Sequence, residues 1–357
     1  MNGKTYKYFK IGLLSLALII VVISVLPVSR TSMWWVRIFD FPRLQIFVVG
    51  LFTVMALLFF YRPLKVIGIA AIIAVAISAG YQFYRIVEFT KLHPVESIRA
   101  ESYDEANAFD IIICNVYMPN RKSGKLLQLI YDIKPDIIAL TETNQWWEDQ
   151  MAVIEDDYPY HVKYPLDNKY GIHLYSKLEL IDPQVNFYVE DDVPSIITHV
   201  RLPSGNVIKL YSIHPRPPKP ANDTDERDAE IIMVGNSIKK GNEHAIVLGD
   251  LNDVGWSHTT RVFKRISGML DPRVGRGMYN TFNANIPFLR WPLDYIFHTD
   301  HFLLVDLERL PHVNSDHFPM YVKLYYAGKK MGQDVQQPDE EDLEEAENKV
   351  QEGTQNE

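Results

Sequence analysis

The segment AIVLGDLND, residues 245–253, ends an apolar run on an acid, an amide and a second acid. Carboxylate and amide oxygens are the ligands that hard divalent cations prefer, so the pattern suits a metal or phosphate site. Asp and Asn also end strands by bonding their own backbone, and for one isolated run this explanation is the commoner one. The functional interpretation therefore depends on whether the pattern recurs along the chain.

Polar side chains do recur at the ends of successive apolar runs. They are Asn115, Glu142, His214, Asp250, Asn252, Asp294, Asp316 and His317. Taken singly, each has an ordinary structural explanation as a bulge, a surface acid, a loop histidine or a turn acid. Strand ends can converge on one rim of a sheet, however, so the whole set fits a single site better than coincidence.

The elements that must position these residues are mainly strands. From about Phe109 to Tyr325, short β-rich runs alternate with turns and with a few helical stretches such as SGKLLQLIYDIKP. Strands outnumber helices, and several alternate in polarity as expected of one sheet packed on another. The single cysteine, Cys114, excludes an intramolecular disulfide and a cysteine metal cluster.

Three uncharged apolar runs precede this region, at residues 11–29, 44–61 and 66–84. As helices they would each span about 27–29 Å, close to the thickness of a bilayer core. A helix buried in a soluble protein can also be apolar all round, but three runs of membrane length favour three transmembrane helices. The segment Thr31–Arg43 carries tryptophan and phenylalanine among charges, which is typical of the membrane interface.

The domain boundaries follow from these patterns. Residues 1–92 are predicted to form the membrane region, 93–104 a linker and 105–328 a catalytic domain. Residues 329–357 carry a net charge of −7 and few apolar side chains, so they are predicted to form a disordered acidic tail.

The ordered set NVYMPN, DIIALTET, SIHP, GDLN, WPLDYIF and SDHFP resembles the endonuclease/exonuclease/phosphatase superfamily over essentially all of residues 105–328. This resemblance implies an α/β fold, a four-layer sandwich of two packed, mainly antiparallel sheets flanked by helices. Within the superfamily, the chain resembles the membrane-anchored bacterial members with three N-terminal helices.

The resemblance also implies a role for each residue. Glu142 would be the principal ligand of Mg²⁺ or Mn²⁺, with Asn115 and Asp316 in its first or second shell. The remaining residues would act on water and phosphate; they are Asp250 and Asn252, His317 paired with Asp294, and His214. His317 would serve as general base or as stabiliser of the developing negative charge. The oxygen-rich set favours Mg²⁺ or Mn²⁺ over zinc.

The substrate is less constrained by the sequence. The domain's net charge of −8 does not favour a polyanionic nucleic acid, although Arg216 and the group Arg273, Arg276 and Arg290 could form a local cationic rim. We therefore expect a phosphate ester or pyrophosphate, lipid-linked or small, as the substrate, with Arg216 as a substrate-binding candidate. A membrane-tethered nuclease is the alternative, and an inactive binding domain is a third.

The position of the domain relative to the membrane rests on the resemblance. Three crossings place the domain opposite the N-terminus, but five Lys/Arg on one face and six on the other do not orient the chain. Bacterial relatives of this organisation carry the domain outside the cytoplasm. We therefore predict a multi-pass membrane protein in contact with the bilayer and with an extracytoplasmic catalytic domain.

Overall fold

The computed structural model describes residues 3–63, 65–220 and 222–355. The N-terminal part contains four helices: α1 (Gly3–Val25), α2 (Trp34–Arg37), α3 (Arg43–Phe60) and α4 (Val66–Ile86). Three spans, Lys4–Ser29, Arg43–Phe60 and Val66–Phe89, are long and apolar enough to cross a membrane. They pack together through a shared apolar cluster that includes Leu13, Leu57 and Val75.

The following region is built from two sheets. The strands are β1 (Ala108–Asn115), β2 (Ile137–Thr141), β3 (Tyr160–Tyr164), β4 (Ile172–Ser176), β5 (Leu180–Phe187), β6 (Pro194–Arg201), β7 (Val207–Ser212), β8 (Ala245–Asp250), β9 (Asp294–His298), β10 (Phe302–Arg309) and β11 (Met320–Tyr326). One sheet has the order β10-β11-β1-β2-β4-β3 and the other β5-β6-β7-β8-β9. Among the strands of the described residues, β1 pairs with β2 and β7 with β8 in parallel, and the other pairs are antiparallel.

Helices cover the outer faces of both sheets. They are α5 (Gly124–Ile133), α6 (Gln145–Met151), α7 (Asp225–Gly241), α8 (His258–Ser267) and α9 (Glu340–Thr354). One apolar cluster lies between the sheets, a second packs one sheet on α5 and α6, and a third packs the other sheet on α7 and α8. The expected four-layer sandwich of two mainly antiparallel sheets is confirmed.

Central strands are buried on both faces, which explains their nearly continuous apolar runs. In β1, Ile111 and Ile113 face the other sheet while Cys114 faces the helices. In β8, Ile246 and Leu248 face the other sheet while Val247 packs toward α7 and α8. A polar residue inside such a strand would lose its water, so the polar residues collect where the strands end.

The segment predicted as a linker, residues 93–104, is instead packed into the domain. Glu96 is buried and forms an ion pair with Lys264 at 2.8 Å. The Ala100 N–H donates to the Leu304 carbonyl at 2.8 Å, so the segment continues the sheet beyond β10. The polar residues of this segment have partners far away in the sequence, so the segment alone had the composition of a linker.

The prediction of a disordered acidic tail is wrong for α9. An Asp339–Asp342 capping box begins the helix, and Ala346 is buried in the same cluster as α7. Lys349 contacts Asp228 at 2.8 Å, and Arg265 pairs with Asp342. The negative charge of this segment is balanced by ion pairs with residues of other helices. These pairs join residues far apart in the sequence, so the local composition does not reveal them.

The N-terminal helices join the domain through a buried polar network. Asp40 forms ion pairs with Arg37 at 3.1 Å and with Arg43 at 2.5 Å. The Asp40 carbonyl also accepts a hydrogen bond from the Trp256 indole at 2.7 Å, and Arg37 donates to Thr259. The domain is therefore held against the N-terminal helices by specific contacts and not by a flexible tether.

Candidate active site

The two parallel strand pairs bring the polar residues to one edge of the sandwich. Asn115 is the last residue of β1 and Glu142 follows β2, its parallel neighbour. His214 lies just after β7, and Asp250 ends the parallel neighbour β8. Asp294 begins the antiparallel strand β9, directly opposite Asp250 in the register.

Gly249 is required where β8 approaches the end of β7. Its φ of +132° is rarely accessible to other residues, and a Cβ there would lie 2.0 Å from the Ile213 carbonyl oxygen. The close approach brings Asp250 beside His214, whose Nδ1 lies 3.0 Å from the Asp250 carbonyl oxygen. The glycine of the GDLN motif is thus explained by backbone geometry.

Hydrogen bonds connect the ends of the two sheets. The Asn115 amide donates to Asp250 at 3.0 Å and to Glu142 at 3.2 Å. Glu142 also accepts from the Met118 N–H at 3.1 Å. Its backbone is left-handed, with a φ of +59°, an uncommon conformation for glutamate that tends to be retained at functional sites. In this orientation Asn115 positions two carboxylates rather than presenting its own oxygen, which accepts from the Tyr117 N–H.

His317 lies between two carboxylates. Its Nδ1 is 2.8 Å from Asp294 Oδ2, and its Nε2 is 3.5 Å from Asp250 Oδ2. Burial alone lowers the pKa of His317, but the charges of Asp294 and Asp250 outweigh burial and raise the pKa to about 10. Ser315 fixes the loop by accepting from the His317 N–H and donating to the Asn115 carbonyl. The ring nitrogen facing Asp250 is therefore the one available for chemistry.

Acidic groups outnumber basic ones in this cluster. Burial, followed by the charge of Asp294, raises the pKa of Asp250, and burial with the charges of Glu142 and Asp250 raises that of Asp316. In the part of the chain that the structure describes, no lysine or arginine forms an ion pair with any of these four carboxylates. Buried excess negative charge of this kind calls for a cation.

The donor set fits a hard divalent cation, since it consists of carboxylates and one imidazole. Asp250, Asp294 and His317 offer ligand atoms within 4.8 Å of one another. Asp294 already accepts the His317 hydrogen bond, however, which leaves Glu142 and Asp316 as the carboxylates without a basic partner. Both sets could contribute ligands to a divalent ion.

The predicted residues share one cavity of about 690 Å³, apart from Asn115, Asp294 and Arg216. Its polar lining includes Glu142, His214, Asp250, Asn252, Asp316 and His317. Asn115 and Asp294 contact these residues from behind, as described above. Asn252 is held by its own backbone N–H, which donates to Asp250 at 2.9 Å, and by its side chain, which donates to the Pro215 carbonyl.

Arg216 does not line the cavity. Its guanidinium is 2.6 Å from Glu190 and 3.0 Å from Asp192, and it stacks on the Tyr170 ring. Arg273 is likewise buried and paired with Asp271 at 2.7 Å. Arg276 and Arg290 donate to the Ser97 and Ala284 backbone carbonyls, and none of the four expected arginines is among the residues lining the cavity.

Several residues that line the cavity were not predicted from the sequence as site residues. They are Asn168, Lys169, Tyr170 and Lys219 on the polar side, and Ile38, Phe39, Phe41, Pro42, Phe282, Leu289, Trp291 and Leu293 on the apolar side. The NKY and PPKP stretches that hold the polar ones resemble ordinary turns. The aromatic residues before α3 resemble membrane-interface residues and nothing more.

Comparisons with known proteins agree with this geometry. The sequence model described as "Endonuclease/Exonuclease/phosphatase family" matches residues 113–317. No curated protein matches the chain. A humanized D. rerio TDP2 structure is similar, with 16% identity, a TM-score of 0.51 and coverage of 61% of this chain and 99% of that chain.

Two further solved structures have the same TM-score of 0.51. An endonuclease/exonuclease/phosphatase from Bacteroides vulgatus is 18% identical, with 61% of this chain and 99% of that chain covered. The human Nocturnin catalytic domain with bound sulfate anion is 14% identical, with 63% and 96% covered. At these identities the likeness establishes the fold.

Proposed function

Because this chain belongs to the endonuclease/exonuclease/phosphatase family, whose members are metal-dependent phosphoesterases and nucleases, we propose that it is a membrane-anchored phosphoesterase. It hydrolyses a phosphate ester or pyrophosphate, lipid-linked or small, by attack of water. One observation carries this proposal: the Nε2 of His317, which is paired with Asp294, lies 3.5 Å from the Oδ2 of Asp250. Glu142 and Asp316 line the same cavity.

In the reaction, a water oxygen forms a bond to phosphorus and the bond from phosphorus to the leaving oxygen breaks. Asp250 orients the water and accepts its hydrogen bond, because the Asn252 N–H and the Asn115 amide hold the carboxylate in place. The His317 Nε2 either takes the water proton or, when protonated, donates to a phosphate oxygen. The leaving oxygen takes up one proton. An ester therefore releases an alcohol and a pyrophosphate releases a phosphate, and the attacked phosphorus keeps the water oxygen.

Glu142 and Asp316 would hold the cation, which when bound neutralises the charge of the phosphate oxygens. The chain's own contribution is to fix these two carboxylates. The Met118 N–H and the Asn115 amide hold Glu142, and the Ser315 loop carries Asp316 beside it. Nothing in this arrangement requires a covalent enzyme intermediate.

The lining of the cavity supports a lipid-linked or small substrate over nucleic acid. Among the described residues that line it, two are lysines, Lys169 and Lys219, and none is an arginine. A nuclease following a polyanionic backbone needs a longer basic track. An inactive binding domain would have no need of the complete set of site residues.

Chelation of divalent metal is expected to abolish activity. The full chain, purified in detergent, should hydrolyse a 4-nitrophenyl phosphate monoester or diester with Mg²⁺ or Mn²⁺ and stop with EDTA. Glu142→Gln should raise the Mg²⁺ concentration for half-maximal rate by at least about 10-fold, because a charged ligand is lost. Glu148→Gln, a surface acid paired with Lys163 at 3.1 Å, is the control. Full activity in EDTA would contradict the metal requirement.

The domain is proposed to lie outside the cytoplasm. Three crossings place it opposite the N-terminus, and the resemblance to bacterial family members with an extracytoplasmic domain supports this side. The charges do not orient the chain, because Arg37 and Arg43 share the single carboxylate of Asp40 and Lys91 is exposed near the domain, while Lys7 and Lys65 are exposed at the opposite end.

A C-terminal alkaline phosphatase fusion to the full chain is therefore expected to be active, since that enzyme folds only outside the cytoplasm. A C-terminal green fluorescent protein fusion exported by the same route should be dark. The reverse pattern, with a bright fluorescent fusion and an inactive phosphatase fusion, would contradict the proposed side.

A further inference from the structure

We propose that the substrate is an amphiphile, a phosphate ester of a long hydrocarbon chain. Its phosphate lies at Asp250 and His317, and its chain lies along the segment between α1 and α3. This segment, residues 31–42, is called the connector below. The inference rests on the proposed function and adds the substrate class and the element that recognises it.

The connector forms one wall of the active-site cavity. Ile38, Phe39, Phe41 and Pro42 line the same space as the site residues. Phe282, Leu289, Trp291 and Leu293 supply further apolar lining. A soluble phosphate ester would leave these side chains in contact with water, whereas a hydrocarbon chain would cover them favourably.

Aromatic rings form a continuous path from the connector to the catalytic histidine. Phe41 meets Trp291 edge to face, with ring centroids 5.9 Å apart. Trp291 stacks on Phe282 at 6.0 Å, and Phe282 lies 4.9 Å from the His317 ring. A chain attached to the phosphate therefore has an apolar surface to follow from the reacting atoms to the membrane helices.

The outer end of this path lies next to the start of a membrane span. α3 begins at Arg43, immediately after the connector, and Gln45 in its first turn donates to the Phe288 carbonyl at 3.0 Å. Phe288 is 85% exposed and its neighbours Ile286 and Leu289 are also exposed. Ile38 on the connector is 48% exposed. Apolar side chains exposed together at the end of a membrane helix are suited to contact with lipid.

The connector wall is a fixed part of the site. Asp40 is buried between Arg37 and Arg43, and its carbonyl accepts the Trp256 indole hydrogen bond. Trp256 follows the catalytic Asp250 by six residues in the same loop region. The membrane anchor is thus bound to the catalytic loop, and its aromatic residues hold a constant position relative to the phosphate site.

The test compares two diesters with the same leaving group, 4-nitrophenyl hexadecyl phosphate and 4-nitrophenyl ethyl phosphate. The full chain is assayed in lipid nanodiscs with Mg²⁺. The kcat/KM of the wild type is expected to be at least about 100-fold higher for the hexadecyl ester. Hexadecyl phosphate and ethyl phosphate, followed by phosphate release, provide the same comparison for a monoesterase.

Variants separate recognition by the connector from simple partition into the bilayer. Phe39→Ala and Phe41→Ala should each lower the ratio of kcat/KM for the hexadecyl ester to kcat/KM for the ethyl ester by about 10-fold. Phe41→Leu, which restores apolar volume, should recover most of the loss. Phe59→Ala is the matched control, because Phe59 is 76% exposed near the opposite end of α3. Circular dichroism and a thermal melt show whether each variant is folded.

The outcomes distinguish this inference from the proposed function. Equal kcat/KM for the two chain lengths, or a hexadecyl preference that survives both phenylalanine variants, would overturn the inference alone. Hydrolysis of single-stranded DNA without hydrolysis of either alkyl ester would replace the lipid by a nucleic acid. Failure to hydrolyse any of these phosphates with Mg²⁺ or Mn²⁺ would overturn the proposed function itself, and the inference with it.

Discussion

Asp250→Asn is expected to lower kcat by about 10³-fold while the protein remains at least as stable as the wild type. Asparagine preserves the shape of the side chain but removes the charge that orients water toward phosphorus. Asp250 is 1% exposed and lies beside Asp294 and His317, so in the metal-free protein the loss of one of several buried like charges does not destabilise the fold. Initial rates with a 4-nitrophenyl ester and a thermal melt in EDTA measure the two effects.

The matched control is Asp253→Asn, three residues along the same loop. Asp253 is equally buried, but it accepts from Ser257 and Thr260 and lies 3.6 Å from Arg227. Its replacement should lower Tm by several degrees and leave kcat within about threefold, because its contacts are structural. Equal losses of kcat in the two variants would remove Asp250 from its proposed role, since general disruption of the loop would then explain both.

His317→Ala is expected to lower kcat by about 10²- to 10³-fold, with a smaller change in KM. The two ring nitrogens of the imidazole contact two of the site carboxylates. Asp294→Asn should give an intermediate loss, because the 2.8 Å contact through which Asp294 orients His317 is weakened. Combining the two changes should cost little more than His317→Ala alone.

A second buried histidine controls for the loss of packing. His298 contacts Ser97 at 2.7 Å and the Thr299 carbonyl at 2.9 Å, away from the cavity. His298→Ala should therefore reduce stability and spare turnover. If His317→Ala retained more than about a third of the wild-type kcat, the imidazole would have no part in the reaction.

The connector, residues 31–42, contributes both to the attachment of the domain to the N-terminal helices and to the wall of the active-site cavity. The same Asp40 network that fixes the domain to the helices also fixes the apolar wall of the cavity. Cleavage of the anchor from residues 105–328 would remove that wall together with the ion pair between Glu96 and Lys264. Kinetic work on this enzyme is for that reason designed around the full chain.

Much of the fold could be predicted from local patterns. Apolar runs of membrane length indicate the three spans, and strands buried on both faces have continuous apolar sequences, as in β1 and β8. Residues such as Asn115 and Asp250 were recognisable because a polar side chain at the end of such a strand needs a partner other than water. These features are local because they depend on periodicity and on the few residues that end each element.

Other features depend on contacts between distant parts of the chain. Asp250 and Asp253 look alike in GDLND, but strand register and the approach of α7 direct one into the cavity and the other toward Arg227. The acidic C-terminal segment becomes the ordered helix α9 because Lys349 finds Asp228 and Arg265 finds Asp342. The sequence thus determined which chemical groups end each strand. Only packing of the two sheets and of the connector decided which groups meet, because that depends on long-range geometry that no local pattern encodes.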